Sequence, residues 1–573
     1  IGRTTRVCRL CRSALGSSLH PIRGLVRFLR AQLPEKPHNI FCLHHGWLYL
    51  FKMRALTNAN RVLIPLALAI PAFADHPSWN FLGYWDLQDR LGAATPTGAG
   101  VVIGQVEAGT GQQYLPNTNE VQFDNLIITP MSGAGTTLSH ANSVGKYNYG
   151  SDWSIAPGIP ETKVWNAIDY VQGGFLRVSS GAPLANPGCQ VINQSWLGNF
   201  GNVTLDRETL RRQDYQIVRD GVLSIVGMPN GGGSLSDTLM WAGWNSIAVG
   251  TRDESHVSGE TTSASDGAGR QKPFMVAPGS LVSWSVPMVT ASVAVLLETV
   301  DTDPMLSSDP DATSPEVLKA ILGASASHTR LAGVDWSNAP VASGPDRGFS
   351  SKPLDPVVGT GTCNIDRAHL VMTGGRFDGE IAPFGPAAPA SGWGSVPLTF
   401  GQSRWFRFDL AETADTFSFL TTWNRDVRFG FSQVLAPNLS LTMYRDIDGS
   451  LTPMRGEAGA AFYSAGNVAS DAPIDNVEHL YLEDLAAGTY WVQMSRLDTA
   501  STEPAAWPFA VAWVHPDSTP NFDPADINQD GAVDFQDLLL LLGDYGAAGG
   551  PSDVNGDGAV DFQDLVALLA VWS

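Results

Sequence analysis

The sequence has few charged residues and few cysteines. Of its 573 residues, 16% are Asp, Glu, Lys or Arg, and five are cysteine. A coiled coil or a disordered chain needs a larger charged fraction, and a small disulfide-built domain needs more cysteines, so these classes fit poorly. Glycine and proline are abundant, with 59 and 37 residues. Length and composition together indicate three or four globular domains rich in loops and strands.

Basic residues are also scarce, above all after residue 74. The whole chain has 35 Lys and Arg against 56 Asp and Glu, for a formal charge of −21. Residues 1–74 hold 11 of the basic residues and a single acid, Glu35, so residues 75–573 carry a charge of −31. Nucleic-acid binders need a basic face that releases counterions, and we therefore expect no nucleic-acid partner.

An export signal is predicted at 53–74. A basic start at Met53 is followed by an apolar run over 62–74 that ends in Ala72-Phe-Ala74, the order of a bacterial-type secretory signal with its cleavage site. The run is shorter than the ~20 apolar residues of a membrane span, so we predict a secreted or cell-surface protein without a transmembrane segment in the mature chain. Because a signal starts at the initiator, residues 1–52 are predicted to be an upstream extension that is not translated.

The cysteines leave two alternatives open. Within the N-terminal extension, Cys8-x-x-Cys11 together with Cys42, His44 and His45 has the alternative interpretation of a zinc site. In the rest of the chain, Cys189 and Cys363 either form a disulfide after export or remain as two small buried residues.

Strand and helix patterns alternate from residue 98 to about residue 375. The strand patterns lie at 101–106, 191–193, 222–226 and 246–249, and the helical patterns lie at 205–220, 286–299 and 315–322. This alternation predicts an α/β domain at 80–375 with a mainly parallel sheet.

A second domain is predicted after a linker. Residues 381–392 are rich in Pro, Ala and Gly, which is typical of a linker. Over 393–515, short alternating strands predict a β-sandwich. Those strands are predicted at 405–410, 416–420, 439–444, 480–482, 489–494 and 509–513. Residues 475–490 resemble part of a prepeptidase C-terminal domain, which implies a role in attachment to a substrate or surface.

A 27-residue repeat occupies the C-terminal domain, predicted at 521–573. Residues 516–573 contain 11 Asp and no Lys, Arg or Glu. Oxygen-bearing side chains stand at loop positions 1, 3, 5, 9 and 12, with glycine at position 6 and a backbone carbonyl at position 7, as in an EF-hand-like calcium loop. The predicted ligands are Asp526, Asn528, Asp530, Ala532, Asp534 and Asp537 in the first loop, and Asp553, Asn555, Asp557, Ala559, Asp561 and Asp564 in the second.

Each loop leads into a short apolar helix, and the duplicated unit is similar to a type I dockerin. That resemblance implies a small α-helical domain with two calcium ions and with folding coupled to metal binding. It also implies docking on a cohesin-like or cell-surface partner.

Three separated segments carry a possible nucleophile and its partners. They are 98–109 with Glu107, 139–145 with His140, and 283–297 with Ser283 four residues before Pro287. In this order they resemble the acid, histidine and serine segments of the subtilisin-like serine proteases, the subtilases. Two further segments, 191–198 and 226–233, resemble the family's substrate-pairing strand and the loop that bears its oxyanion asparagine.

The resemblance implies a catalytic triad. Ser283 is the nucleophile, His140 takes its proton, and Glu107 replaces the family's aspartate as the acid that orients the imidazole. Asn230 is implied as the oxyanion donor. The implied substrate-binding residues are Ser195, Trp196, Leu197 and Gly198. No organic cofactor is expected.

Several assignments remain open. Ser285 is an alternative nucleophile and Asp124 is an alternative acid. Asn230 also fits an ordinary Pro-Asn-Gly turn, and His140 also fits an ordinary loop histidine. Leu281-Val282 replaces the family's usual Gly-Thr before the serine, which weakens the match. We predict a secreted serine endopeptidase that is anchored by its dockerin-like domain. The alternative is a catalytically impaired adhesion or scaffold protein that docks in the same way.

Overall fold

The computed structural model describes residues 39–44, 47–52, 77–231, 235, 237–328, 330, 334–497, 506–515, 525, 527, 533, 535–546, 552, 554, 559–570 and 572. The chain divides into two compact units, Ile1–Asp75 and His76–Ser573. In the first unit, Asn39–His44 (β1) and Trp47–Lys52 (β2) form an antiparallel hairpin. The predicted signal at 53–74 and the Cys8-x-x-Cys11 motif lie outside the described residues.

The second unit begins with an α/β region. Its strands are Val102–Glu107 (β3), Gln113–Leu115 (β4), Ile127–Pro130 (β5), Thr136–Thr137 (β6), Glu161–Asn166 (β7), Val191–Gln194 (β8), Leu223–Gly227 (β9), Ile247–Thr251 (β10), Gly259–Glu260 (β11), Gln271–Lys272 (β12), Met275–Ala277 (β13) and Phe349–Ser350 (β14). Its helices are Pro77–Phe81 (α1), Tyr84–Leu91 (α2), Ser139–Tyr149 (α3), Val203–Asp220 (α4), Val282–Thr302 (α5), Pro315–Ala324 (α6) and Ile365–Thr373 (α7).

Seven of these strands form one sheet, in the order β13-β10-β9-β8-β3-β7-β5, and every neighbouring pair is parallel. This topology confirms the predicted α/β class with a mainly parallel sheet. Strands β8, β9 and β10 are buried along their whole length, as parallel strands covered on both faces are. The strands that follow β3 in the chain first lie on one side of it (β5 and β7) and then on the other side (β8, β9, β10 and β13). The carboxyl end of β3 therefore lies at a switch point, where open α/β sheets bind ligands.

Helix α5 is the long apolar helix of this region. It packs on β8, β9 and β10 and against α3, and most of its residues are buried. Among the described helices it alone has the length and hydropathy of a membrane span, but 83% of its most apolar stretch is buried inside the structure. Packing in the α/β core accounts for its apolar composition.

Two largely antiparallel sheets follow the α/β region. The strands of this region are Ser391–Thr399 (β15), Ser403–Leu410 (β16), Ala414–Thr422 (β17), Asp426–Arg428 (β18), Gln433–Leu435 (β19), Leu439–Ile447 (β20), Ser450–Pro453 (β21), Ala465–Gly466 (β22), Ala469–Ser470 (β23), Val477–Leu485 (β24), Gly488–Arg496 (β25) and Ala506–Val514 (β26). Strands β18 and β19 form a separate antiparallel pair. One sheet has the order β15-β26-β17-β24-β22. The other has the order β14-β23-β20-β25-β16, with β21 beside β20. Side chains of both sheets, such as Phe406, Phe419 and Met443, share one hydrophobic core.

The segment predicted as a linker is part of this folded structure. The Ala388 amide donates to the Arg407 carbonyl at 2.7 Å, and β15 already begins at Ser391. Just before the segment, Glu380 and Trp405 exchange two backbone hydrogen bonds of 2.8 Å. Backbone pairing needs no particular side chain, so Pro, Ala and Gly composition did not reveal it.

The five-stranded sheet is covered on both of its faces. One face meets the other sheet, while Leu420 of β17, together with Ala510 and Ala512 of β26, belongs to the core of the α/β region. Helix α6 packs on β17 and β26, and α7 packs on β15. The five-stranded sheet of the second unit therefore lies between the helices of the α/β region and the other sheet.

The C-terminal repeat contributes two helices, Phe535–Asp544 (α8) and Phe562–Ala570 (α9). A small core of Ala525, Val533, Leu541, Val560 and Leu568 lies between and beside them. Val533 and Leu541 recur 27 residues later as Val560 and Leu568, so both copies contribute the same two positions to this core.

Candidate active site

Glu107 and His140 form a close pair at the carboxyl end of β3. Glu107 is the last residue of β3 and is fully buried, and its Oε2 lies 2.7 Å from Nδ1 of His140. The His140 side chain is 37% exposed. A carboxylate at Nδ1 holds the proton on that nitrogen and leaves Nε2 free to accept one. The alternative acid, Asp124, is an exposed residue.

The pair changes the acidity of the histidine. Burial lowers the pKa of His140, but the hydrogen bond and the charge of Glu107 raise it by more, so its pKa lies above the ordinary value of 6.5. The imidazolium form is therefore stabilised, as a general base requires once it has taken a proton.

The packing of two helices brings His140 towards Ser283. Each is the second residue of its helix, α3 or α5, and these helices pack against each other. The ring of Trp284, the next residue after Ser283, lies 5.5 Å from the His140 ring. Among the described residues, His140 bonds to Glu107 and makes no hydrogen bond to Ser283. Such bonds are often long in free enzymes and tighten when substrate binds.

The two candidate nucleophiles differ in their surroundings. Ser285 is fully buried, and its Oγ donates to the Ala277 carbonyl at 2.9 Å and accepts from the Gly279 amide at 3.1 Å. A Cβ at Gly279 would lie 2.6 Å from that Oγ, so the loop requires glycine there. Ser283 instead lines a cavity of about 170 Å³. Because the hydroxyl of Ser285 is already used in hydrogen bonds to the loop at 277–279, Ser283 is favoured as the nucleophile.

Asn230 lines the same cavity as Ser283. Its Oδ1 accepts a hydrogen bond of 2.9 Å from the amide of Val282, the residue before Ser283. Because the oxygen of the side chain is engaged, the Nδ2 group remains as the donor that an oxyanion needs. The Asn230 backbone also forms an isolated antiparallel bridge with His256.

The predicted substrate strand lines two cavities. Ser195, Trp196 and Leu197 line the cavity that contains Ser283, and Trp196, Leu197 and Gly198 line a second cavity of about 210 Å³. The second cavity has a mainly apolar wall that includes Ile168, Val171, Phe200 and Leu239. The Ser195 side chain also has a structural contact, because its Oγ donates to Asn193 Oδ1 at 2.9 Å.

Sequence reasoning missed two polar residues beside the pair. Gln105 and Tyr149 are buried, and the Gln105 side chain bonds directly to Glu107. The sequence carried one signal, a glutamine inside the apolar run of β3, where an unpaired amide would be unfavourable.

The predicted calcium ligands lie mostly outside the described residues. Those with a described position are Asp537, Ala559, Asp561 and Asp564. Asp537 and Asp564, both at loop position 12, are fully buried, and Asp564 Oδ2 accepts a hydrogen bond of 2.7 Å from the Asp561 amide. Within the described part of the chain, no three His, Cys, Asp or Glu residues are grouped so that they could hold a metal ion. The complete ligand set remains a prediction.

The two cysteines of the second unit are free thiols. Cys189 and Cys363 are both buried. The Sγ of Cys363 contacts Ser292 Oγ at 3.6 Å. Burial raises the pKa of each thiol to about 12.

Comparison with known proteins gives distant likenesses only. No protein-family model matches the chain, and no curated protein matches it. The chain is similar to a solved cold-adapted subtilisin-like serine proteinase, with 16% identity over 44% of this chain and 93% of that one, at a TM-score of 0.30. It is similar to the epidermin leader peptide processing serine protease of Staphylococcus aureus, with 14% identity over 50% and 81%, at 0.33. Fervidolysin from Fervidobacterium pennivorans, a keratinolytic enzyme related to subtilisin, gives 13% identity over 74% and 57%, at 0.29. Likeness this distant does not define an activity.

Proposed function

We propose that the chain is a secreted serine endopeptidase that hydrolyses peptide bonds through Ser283, His140 and Glu107. The observation that carries this proposal is the 2.7 Å contact between a fully buried Glu107 and His140, at the start of a helix packed against that of Ser283. A buried carboxylate on Nδ1 of a partly exposed histidine is the arrangement that activates a serine.

The residues have complementary roles in the proposed reaction. The Oγ of Ser283 attacks the peptide carbonyl while Nε2 of His140 takes its proton, and Nδ2 of Asn230 donates to the resulting oxyanion. The imidazolium then returns the proton to the leaving amine. Water, activated by the same histidine, hydrolyses the acyl-enzyme and releases the acid.

The two cavities favour a peptide with apolar side chains. Trp196 and Leu197 contribute to both, and the larger cavity is lined mainly by apolar residues. An extended peptide that runs along 195–198 would place side chains in both cavities and its scissile carbonyl next to Ser283.

The C-terminal repeat is proposed to anchor the enzyme to a cohesin-like or cell-surface partner, with calcium holding the two loops. Helices α8 and α9 expose apolar residues at matching positions. These are Phe535 and Phe562, Leu539 and Val566, and Leu542 and Leu569. Apolar side chains gathered on one surface favour partner binding. Export itself is proposed from the signal pattern at 53–74.

A serine-directed fluorophosphonate probe tests the catalytic proposal. We expect the folded, calcium-loaded protein to be labelled, and Ser283→Ala to abolish the labelling. Ser285→Ala is the matched control and is expected to keep it, with circular dichroism to verify that both variants are folded. A wild-type protein that is folded and is never labelled would refute the proposal and favour the impaired adhesion or scaffold protein.

A further inference from the structure

A buried glutamine lies directly beside the proposed catalytic acid. Gln105 and Glu107 are two residues apart on β3, so their side chains share one face of the strand. Both are fully buried. An amide in such a place is stable only if its polar atoms are bonded, which makes its partners informative.

Both the nitrogen and the oxygen of the Gln105 side-chain amide are hydrogen-bonded. Its Nε2 donates to Glu107 Oε1 at 2.7 Å and to the carbonyl of Ala141 at 3.0 Å. Its Oε1 accepts a hydrogen bond of 2.6 Å from the hydroxyl of Tyr149. Tyr149 is the last residue of α3, the helix whose second residue is His140. The amide thus connects β3 to both ends of the helix that carries the histidine.

Donor and acceptor chemistry fixes the direction of this chain of bonds. A carboxylate and a backbone carbonyl only accept, so the NH₂ group of Gln105 must face Glu107 and Ala141. The amide oxygen then faces Tyr149, whose hydroxyl supplies the proton. As a result both oxygens of Glu107 are engaged, Oε1 by Gln105 and Oε2 by His140.

We propose that Gln105 and Tyr149 are positioning residues that hold the Glu107 carboxylate with Oε2 directed at Nδ1 of His140. The role in catalysis rests on the proposed function, whereas the effect on His140 itself does not. The bond from Gln105 restricts the rotation of a side chain that has one more torsion than aspartate.

The pKa of His140 distinguishes a positioning role of Gln105 from a role in which Gln105 only withdraws negative charge from Glu107. If Gln105 only withdrew negative charge from Glu107, its loss would strengthen the bond to His140 and raise the pKa of the histidine. If Gln105 positions Glu107, its loss displaces the carboxylate, burial dominates, and the pKa of His140 falls. The two roles therefore predict opposite shifts.

The experiment compares Gln105→Leu and Tyr149→Phe with Tyr170→Phe in the full chain. Tyr170 is a matched control, because its buried hydroxyl donates to Gln216 Oε1 at 2.7 Å without a bond to Glu107. The pKa of His140 is measured by NMR of histidine-labelled protein, with the signal assigned from a His140→Ala sample. We expect a lower pKa in Gln105→Leu, a smaller decrease in Tyr149→Phe and no change in Tyr170→Phe.

Activity gives the second measurement. Loss of a hydrogen bond to a charged group predicts that Gln105→Leu lowers kcat/KM by about 10- to 100-fold. An unchanged or raised pKa of His140 in Gln105→Leu would overturn the proposal. If that variant does not fold, Tyr149→Phe decides alone, and a pKa equal to that of Tyr170→Phe overturns it. A lowered pKa in a protein that no fluorophosphonate labels would keep the positioning role and reject the peptidase.

Discussion

At the scale of single residues, Glu107 shows how a buried carboxylate tunes its neighbour. It has no solvent contact, and each of its oxygens has a partner. The pKa of His140 is set by two opposing effects, burial that lowers it and Glu107 that raises it. Removing the charge of Glu107 should leave only the first effect.

Glu107→Gln is expected to move the acid limb of the pH profile to lower pH. In the wild type, the neutral base forms only above a pKa that lies higher than 6.5, so kcat/KM falls as the pH drops through that value. With glutamine, burial holds the pKa of His140 below its ordinary value, and the limb shifts down. The maximal rate should fall by about 10⁴-fold, because an amide favours the wrong tautomer.

The pH dependence of kcat/KM checks this expectation. Asp124→Asn is the control, since Asp124 is the exposed alternative acid, and it should leave both the limb and the maximum unchanged. If Asp124→Asn moved the limb and Glu107→Gln did not, the acid would be wrongly assigned.

At the scale of elements, the helices and strands that were predicted are present to within a few residues, but fewer than half of the observed elements were predicted. Helix α4 was expected at 205–220 and spans Val203–Asp220, and β8 was expected at 191–193 and spans Val191–Gln194. Helix α3 was not predicted, because Asn, Ser and Gly at its centre are weak helix formers. Its packing against α5 stabilises it, and long-range packing is not visible in local spacing.

The residues of the candidate site were also predicted only in part. Resemblance to the subtilase motifs selected Glu107 and His140, which the structure places in contact. It favoured Ser283 but left Ser285 as an alternative, because the hydrogen bonds that occupy Ser285 come from a loop several residues earlier in the chain. It did not reveal Tyr149, whose hydroxyl reaches across to another element.

The two loop–helix repeats are expected to bind one calcium ion each. Asp526→Ala removes the first ligand of the first loop and should leave one site, and the double variant with Asp553→Ala should leave none. Asp544→Asn is the control, because this acid lies outside the ligand pattern and accepts from Ser552 Oγ at 2.7 Å. Isothermal titration calorimetry of the full chain counts the ions. A stoichiometry unaffected by the double variant would contradict the loop assignment.

At the scale of the whole molecule, a buried ion cluster joins the α/β region to the two sheets. Arg425 follows β17, is 1% exposed and contacts Asp214 of α4 at 2.6 Å and Asp266 at 2.7 Å. Its backbone amide donates to Asn245 Oδ1 at 2.8 Å. The cluster lies next to the five-stranded sheet, on which the α/β region packs. The α/β region and the two sheets are therefore expected to unfold together.

Arg425→Ala should therefore destabilise the entire second unit. The change removes the ion pair between Arg425 and the fully buried Asp214, and breaking a buried pair in this way costs about 3–5 kcal/mol. Arg407→Ala is the control, because Arg407 and Asp409 form an exposed pair that contributes less than about 1 kcal/mol. Urea denaturation monitored by tryptophan fluorescence gives both values.

Two separate unfolding transitions in the wild type would show that the regions are independent. Equal stability of Arg425→Ala and Arg407→Ala would show that the cluster is not essential.

The position of the five-stranded sheet in the chain also limits the distance from a docking partner at which the proposed enzyme could act. Strand β26 is hydrogen-bonded to β15 and β17 and ends at Val514, which fixes the point from which the chain continues towards the repeat. The nine residues 516–524 span at most about 30 Å, whatever their conformation. An enzyme docked through its C-terminal repeat would therefore cut only the peptides that lie within a short radius of its anchor. Proximity to the docking partner, as much as side-chain preference, would then decide which proteins are degraded.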